Sequence, residues 1–149
     1  MWAAYEYIIK YGGLVTEETY PYEAVDGKCR YNMTNAVVQV SNWTFISSNE
    51  DEMASWLASN GPIAVAINAD YLQYYRKGIL NPSRCDPEEL NHGVLIVGYG
   101  EEKAANGKIE KYWIVKNSWS ASWGEKGYVR FLRGQGVCGI NAVPSSALI

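Results

Sequence analysis

Two runs of β-forming residues, Leu90 to Tyr99 and Lys111 to Asn117, flank a polar stretch from Glu101 to Glu110 that contains Asn106-Gly107. Asn-Gly between such runs is a hairpin signal, because the tight turn needs positive φ at its centre. The spacing predicts two paired strands whose far ends meet. His92, at the mouth of the first strand, then comes beside Asn117, at the end of the second. Tyr128 to Leu132 reads as a third strand after the turn-rich Ser118 to Gly127. Ile63 to Ile67 is a short apolar strand, and the β-rich Val37 to Ile46 predicts another.

Helices are fewer. Trp2, Tyr5 and Ile9 recur at helical spacing, and Gly12-Gly13 supplies a stop, so Trp2 to Tyr11 is a helix without a capping side chain before it. Asn49 opens a second helix with Glu50, Asp51 and Glu52 in its first turn, where carboxylates favour the helix dipole. Met53, Trp56 and Leu57 form its inward stripe, and Asn60-Gly61-Pro62 ends it. Leu14 to Asn35, with Tyr20-Pro21-Tyr22 and Asp26-Gly27, reads as ordered irregular chain. Asp70 to Lys77 predicts one or two helical turns closed by Gly78.

Composition excludes several classes of function. Of the 149 residues, 48% are hydrophobic and 19% charged, the balance of a folded chain and not of a disordered one. Thirteen Lys and Arg against sixteen Asp and Glu leave a net charge of −3 and no basic block, so no nucleic-acid partner is expected. No apolar run reaches 18 residues, so no membrane span is expected. One His and three scattered Cys offer no zinc spacing, so no metal site is expected.

The chemistry rests on His92. An amide oxygen on Asn117 that accepts from the imidazole would fix the ring's tautomer and rotation, as the third member of a nucleophile–base–orienter triad does. Trp119 and Trp123 would roof that bond and exclude water. The plainer alternative for each, a satisfied core histidine and ordinary aromatic packing, is open on these residues alone.

Taken in order, Thr19-Tyr20-Pro21-Tyr22, Gly61-Pro62-Ile63-Ala64-Val65-Ala66, Asn91-His92-Gly93, Val97-Gly98-Tyr99-Gly100, Tyr112 to Trp119, Trp123-Gly124-Glu125-Lys126-Gly127-Tyr128 and Cys138-Gly139-Ile140 run across the whole chain. Together they resemble the papain family of cysteine proteases, and within it the cathepsin F-like members. The resemblance implies an α+β, papain-like, two-lobed fold. Residues 1–35 would be a remnant of the helical lobe, and residues 36–149 an antiparallel β-barrel-like lobe carrying His92 and Asn117. It implies that His92 is the general base, Asn117 its orienting residue and Trp119 the aromatic shield. Ala66, Leu90, Gly93 and Val143, with Met1 as another wall, would line the pocket for the substrate side chain two residues before the scissile bond. Small apolar residues there imply a bulky hydrophobic preference, since no buried charge can pair with a basic side chain. Peptide or protein substrates and no cofactor are implied.

The family's nucleophile sits in a Cys-Gly-Ser-Cys-Trp-like segment on the order of 130–150 residues before the His. Only 91 residues precede His92, and neither that segment nor the Gln assisting the oxyanion is among them. The expectation is therefore a C-terminal portion of a longer protease, inactive alone, with Met1 an artificial start. By resemblance, Cys85 and Cys138 form a disulfide, and Cys29 is half of a bridge to a residue upstream. A reactive Cys29 or Cys85 is the alternative. The sequons Asn32-Met33-Thr34 and Asn42-Trp43-Thr44 add candidate glycosylation sites. With the disulfide they imply an oxidising compartment, lysosomal, endolysosomal or secreted. A competing reading is a noncatalytic binding module, in which an apolar face around Trp2, Tyr5 and Trp119 pairs with the missing portion or with a second copy.

Overall fold

The computed structural model describes residues 1–149, which divide into two compact units. The first comprises Met1–Thr44 with Ala147–Ile149, and the second Phe45–Ser146.

In the first unit, helix α1 spans Trp2–Tyr11, as the apolar spacing predicts, and none of its residues is fully buried. Its N-cap, Met1, has no side-chain cap. Gly12 ends it at φ 88°, and the Gly13 N–H donates to Ile8 O at 2.9 Å. Gly13 is required by a close approach: a Cβ there would lie 2.2 Å from Val38 O. That approach is the Leu14–Val38 bridge, in which the Leu14 N–H donates to Val38 O at 2.8 Å. Tyr31 Oη ties the helix end down by donating to Tyr11 O and Gly13 O. The strand expected over Val37 to Ile46 is shorter, β1 at Asn42–Phe45. Val37 and Val38 spend their backbone groups on Leu14 instead.

In the second unit, α2 (Glu50–Asn60) has the predicted cap: Asn49 Oδ1 accepts from the N–H groups of Asp51 and Glu52 at 2.9 and 3.2 Å. Such a cap contributes about 1 kcal/mol. The strands are β2 (Ile63–Ile67), β3 (Ile79–Leu80), β4 (His92–Lys103), β5 (Ile109–Lys116), β6 (Tyr128–Leu132) and β7 (Ser145–Leu148), which runs on into the first unit. They lie in the order β7-β2-β4-β5-β6-β3. Every pair is antiparallel except β3 with β6, which is parallel. The fold is α+β. Where the expected lobe was barrel-like and antiparallel, the sheet is open, ends at β3, and includes that one parallel pair.

Alternation places Ile63, Val65, Ile67, Val94, Ile96, Trp113, Val115, Val129 and Phe131 on buried faces, joined by Met53 and Leu57 of α2. The hairpin is longer than predicted, so the loop shrinks to Ala104–Lys108, with Gly107 at φ 81°. A bulge between Ile96 and Gly98 shifts the β4–β5 register by one residue. The turns expected over Asp70 to Lys77 reduce to a 3-10 turn at Leu72–Tyr74.

Candidate active site

The β4–β5 hairpin brings its ends together as the spacing requires. His92 opens β4 opposite Ile67 of β2, and the preceding Asn91 N–H donates to Ile67 O at 3.1 Å. Asn117 follows β5 directly. Its backbone N–H donates to Gly127 O at 3.0 Å, which closes the neck of the 118–127 loop. His92 Nε2 lies 2.9 Å from Asn117 Oδ1.

The tautomer follows from a third group. The Ser118 N–H, which can only donate, points at the same Asn117 atom at 2.8 Å. That atom must therefore be the carbonyl oxygen, so His92 Nε2 carries the proton in the bond between them. In the neutral ring Nδ1 is left unprotonated and free to accept. Asn117 is 8% exposed, and its Nδ2 has no hydrogen-bond partner. A buried orphan donor is tolerated here while the other end of the amide holds the histidine.

Two indoles cover this pair. Trp119 lies over His92 with ring centroids 5.2 Å apart, and Trp123 meets Trp119 edge-on at 5.3 Å. Trp123 is fixed in turn: its Nε1–H donates to Leu72 O at 3.1 Å, and its ring packs 5.6 Å from that of Tyr75. The loop carrying both indoles is tightly wound, with positive φ at Ser120, Gly124, Lys126 and Gly127. At Gly124 a Cβ would lie 2.7 Å from Tyr128 O.

A model of the papain family of cysteine proteases matches residues 1–148. The chain belongs to that family. It is 45% identical to cysteine proteinase 1 of Dictyostelium discoideum over 147 residues, covering 98% of this chain and 43% of that protein. It is 44% identical to cathepsin F of Mus musculus, covering 98% of this chain and 31% of the relative. Among solved structures, digestive procathepsin L 3 of Tenebrio molitor larval midgut superposes with a TM-score of 0.90 at 41% identity, over 99% of this chain and 47% of that one. The chain thus spans less than half the length of these relatives.

Of the pocket residues expected for a papain-family chain, Ala66 and Gly93 are cross-strand partners in β2 and β4. A Cβ added to Gly93 would meet nothing within 4 Å, so the space above it is open. Val143 is half-buried in the bend two residues before β7. Leu90 lies two residues before His92, its Cδ2 2.6 Å from where a Gly139 Cβ would sit. Met1 belongs to the other unit, at the start of α1.

Cys85 and Cys138 are disulfide-bonded, so Cys85 offers no free thiol, and Cys29 is the free, exposed cysteine. Cys29 Sγ lies 3.8 Å from Tyr7 Oη. The Tyr31 backbone N–H, with help from the Tyr7 hydroxyl, lowers the pKa of this thiol.

Glu125 lies within the Trp123-to-Tyr128 motif, where residue order alone assigns it no partner. Its carboxylate accepts from the Gly78 N–H at 2.8 Å and from Arg130 Nε and Nη2 at 2.9 and 3.0 Å. Arg130 holds the Glu125 carboxyl below the usual carboxylate range, with the Gly78 N–H assisting. A carboxylate lowered in this way stabilises the fold above its ordinary pKa, and the contribution is lost as pH falls through the lowered value. The gap in urea midpoint between wild type and Glu125→Gln is therefore expected to be flat above about pH 5 and to shrink below about pH 4. A gap that widens in acid would contradict this assignment.

Proposed function

We propose that this chain supplies the base-bearing half of a cysteine endopeptidase active site. The observation that carries the reading is the 2.9 Å bond from His92 Nε2 to Asn117 Oδ1, which leaves Nδ1 free under the Trp119 roof. The nucleophile would be a Cys in a part of the protein outside these 149 residues. A thiol facing Nδ1 transfers its proton there and becomes the stronger nucleophile. The thiolate attacks the peptide carbonyl, and His92 returns the proton to the departing amine. His92 then takes a proton from water as it hydrolyses the thioester, regenerating the thiol. Asn117 keeps the imidazole edge in place in both steps, and Trp119 excludes water from the bond between them.

Ala66, Gly93, Leu90 and Val143 support a pocket for a bulky apolar side chain two residues before the scissile bond. Open space above Gly93 and the lack of a carboxylate among these residues favour Leu over Arg there. The Cys85–Cys138 disulfide and the exposed sequon residues Asn32 and Asn42 support work in an oxidising compartment, endolysosomal or secreted.

The experiment is hydrolysis of paired peptides differing only by Leu or Arg at that position, using the complete protein that contains this chain. The expected result is thiol-dependent cleavage favouring Leu by about tenfold or more in kcat/KM. Cleavage that survives thiol alkylation would overturn the mechanism, and an Arg preference would overturn the pocket.

A further inference from the structure

The loop from Ser118 to Gly127 carries the indoles Trp119 and Trp123; Asn117 N–H to Gly127 O and Gly127 N–H to Trp123 O at 2.7 Å close its neck, and a backbone bridge joins Glu125 to Tyr128. The far side of the loop is held by a side chain. Glu125, two residues after Trp123, sends its carboxylate into three donors from two other segments: the Gly78 N–H, and Arg130 Nε and Nη2 on β6. The Arg130 pairing is bidentate, the geometry in which a guanidinium fixes direction as well as distance. Arg130 is immobilised in turn: Nη1 donates to Glu102 of β4, and its guanidinium lies 5.0 Å from the Tyr112 ring centroid on β5. The Tyr75 hydroxyl completes the arrangement by donating to Gly78 O at 2.7 Å and accepting from the Arg130 N–H at 3.3 Å. Tyr75 is also the ring packed on Trp123.

We infer that Glu125, acting through Arg130 and Gly78, is a positioning residue that sets the Trp123–Trp119 stack over His92 and so controls the solvation of the catalytic imidazole. The inference rests on the proposed role of His92. The chain of contact is continuous: carboxylate to Gly78, Gly78 to Tyr75, Tyr75 to Trp123, Trp123 to Trp119, Trp119 to the imidazole. Glu125 touches neither His92 nor the space where a substrate would lie, so its influence is on placement. Neutralising the carboxylate weakens the two Arg130 bonds and the Gly78 bond at once, and the loop with four positive-φ residues then loses its only side-chain anchor to β6. Trp119 would tilt away, and water would reach the His92–Asn117 bond.

His92 is the single histidine of the chain, so its imidazole carbon-bound protons give an unambiguous NMR signal in the 149-residue chain. With Trp119 at 5.2 Å, that signal carries a ring-current offset. Trp119→Ala defines zero offset. Glu125→Gln, which keeps the shape of the side chain, is expected to lose at least half of the offset. Arg130→Lys keeps the charge but loses the fork, and is expected to fall between wild type and Glu125→Gln. Asp51→Asn, which breaks the remote Arg133–Asp51 pair, controls for general loosening and is expected to leave the offset unchanged. An unchanged offset in Glu125→Gln would overturn the inference, as would an equal loss in Asp51→Asn. If Glu125→Gln does not fold, Arg130→Lys decides in the same way. These readouts need no catalysis, so they separate this inference from the proposed activity, which is tested by the thiol and His92 dependence of hydrolysis by the complete protein.

Discussion

On the proposed mechanism, replacing His92 with alanine in the complete protein that contains this chain is expected to lower kcat for peptide hydrolysis by on the order of 10³-fold or more. Two contributions disappear together. The ring no longer accepts the thiol proton at Nδ1, and it no longer protonates the leaving amine. KM should change little, because the cross-strand wall formed by Ala66 and Gly93 is set by the β2–β4 register and not by the imidazole. Alkylation of the nucleophilic thiol by iodoacetamide reads the first contribution separately: its rate at mildly acidic pH should fall with the variant, since the thiol then ionises only in its ordinary range. A His92→Ala enzyme within tenfold of wild type in kcat would refute the assignment of the base. Asn117 acts one step back, so its removal leaves the base present but free to rotate, and the expected loss is smaller.

The second large effect is on stability. Trp113 on β5 is fully buried at the centre of the core, and its Nε1–H donates to Glu50 Oε2 at 2.6 Å. Glu50 is 7% exposed, and its other oxygen accepts from the Gly136 N–H at 2.7 Å. Trp113→Ala therefore removes a large ring and also leaves a buried carboxylate one donor short. The cavity costs about 3–5 kcal/mol, and the lost donor adds about 1–3 kcal/mol. Against a typical total of about 5–15 kcal/mol, that removes most of the stability of a small domain. Trp113→Phe separates the two, because it keeps an aromatic ring and deletes the N–H. Urea unfolding should show Trp113→Phe destabilised, and Trp113→Ala destabilised further or unfolded without urea. A Trp113→Phe variant as stable as wild type would show that the Glu50 bond contributes nothing.

Both sites test how far residue order alone can be pushed. His92 and Asn117 are 25 residues apart, but a hairpin joins them, and a hairpin is a local object. Its turn chemistry and alternation are written in consecutive residues, so the meeting of its ends follows. The helices were legible for the same reason: Asn49 caps α2 within its own first turn, and Gly12 ends α1 within its last. Strand β7 was not foreseen, because Ser145–Leu148 has weak β character and is held by pairing with Ala64, 81 residues away. Strand β3 is two residues long and exists through its parallel pairing with Arg130 and Phe131. Val37 and Val38 have strand propensity, yet a backbone partner at Leu14 claimed them.

Resemblance carries the family, and patterns of consecutive residues locate the hairpin, the caps and the meeting of His92 with Asn117. Left to the folded state were the partners of charged and polar side chains: Glu50 with Trp113, Glu125 with Arg130 and Gly78, and the Ser118 N–H that settles which nitrogen of His92 is free. Those pairings depend on where whole strands come to rest against one another. A carboxylate's preference for a donor is the same in any sequence, and only packing decides which donor stands within 3 Å of it.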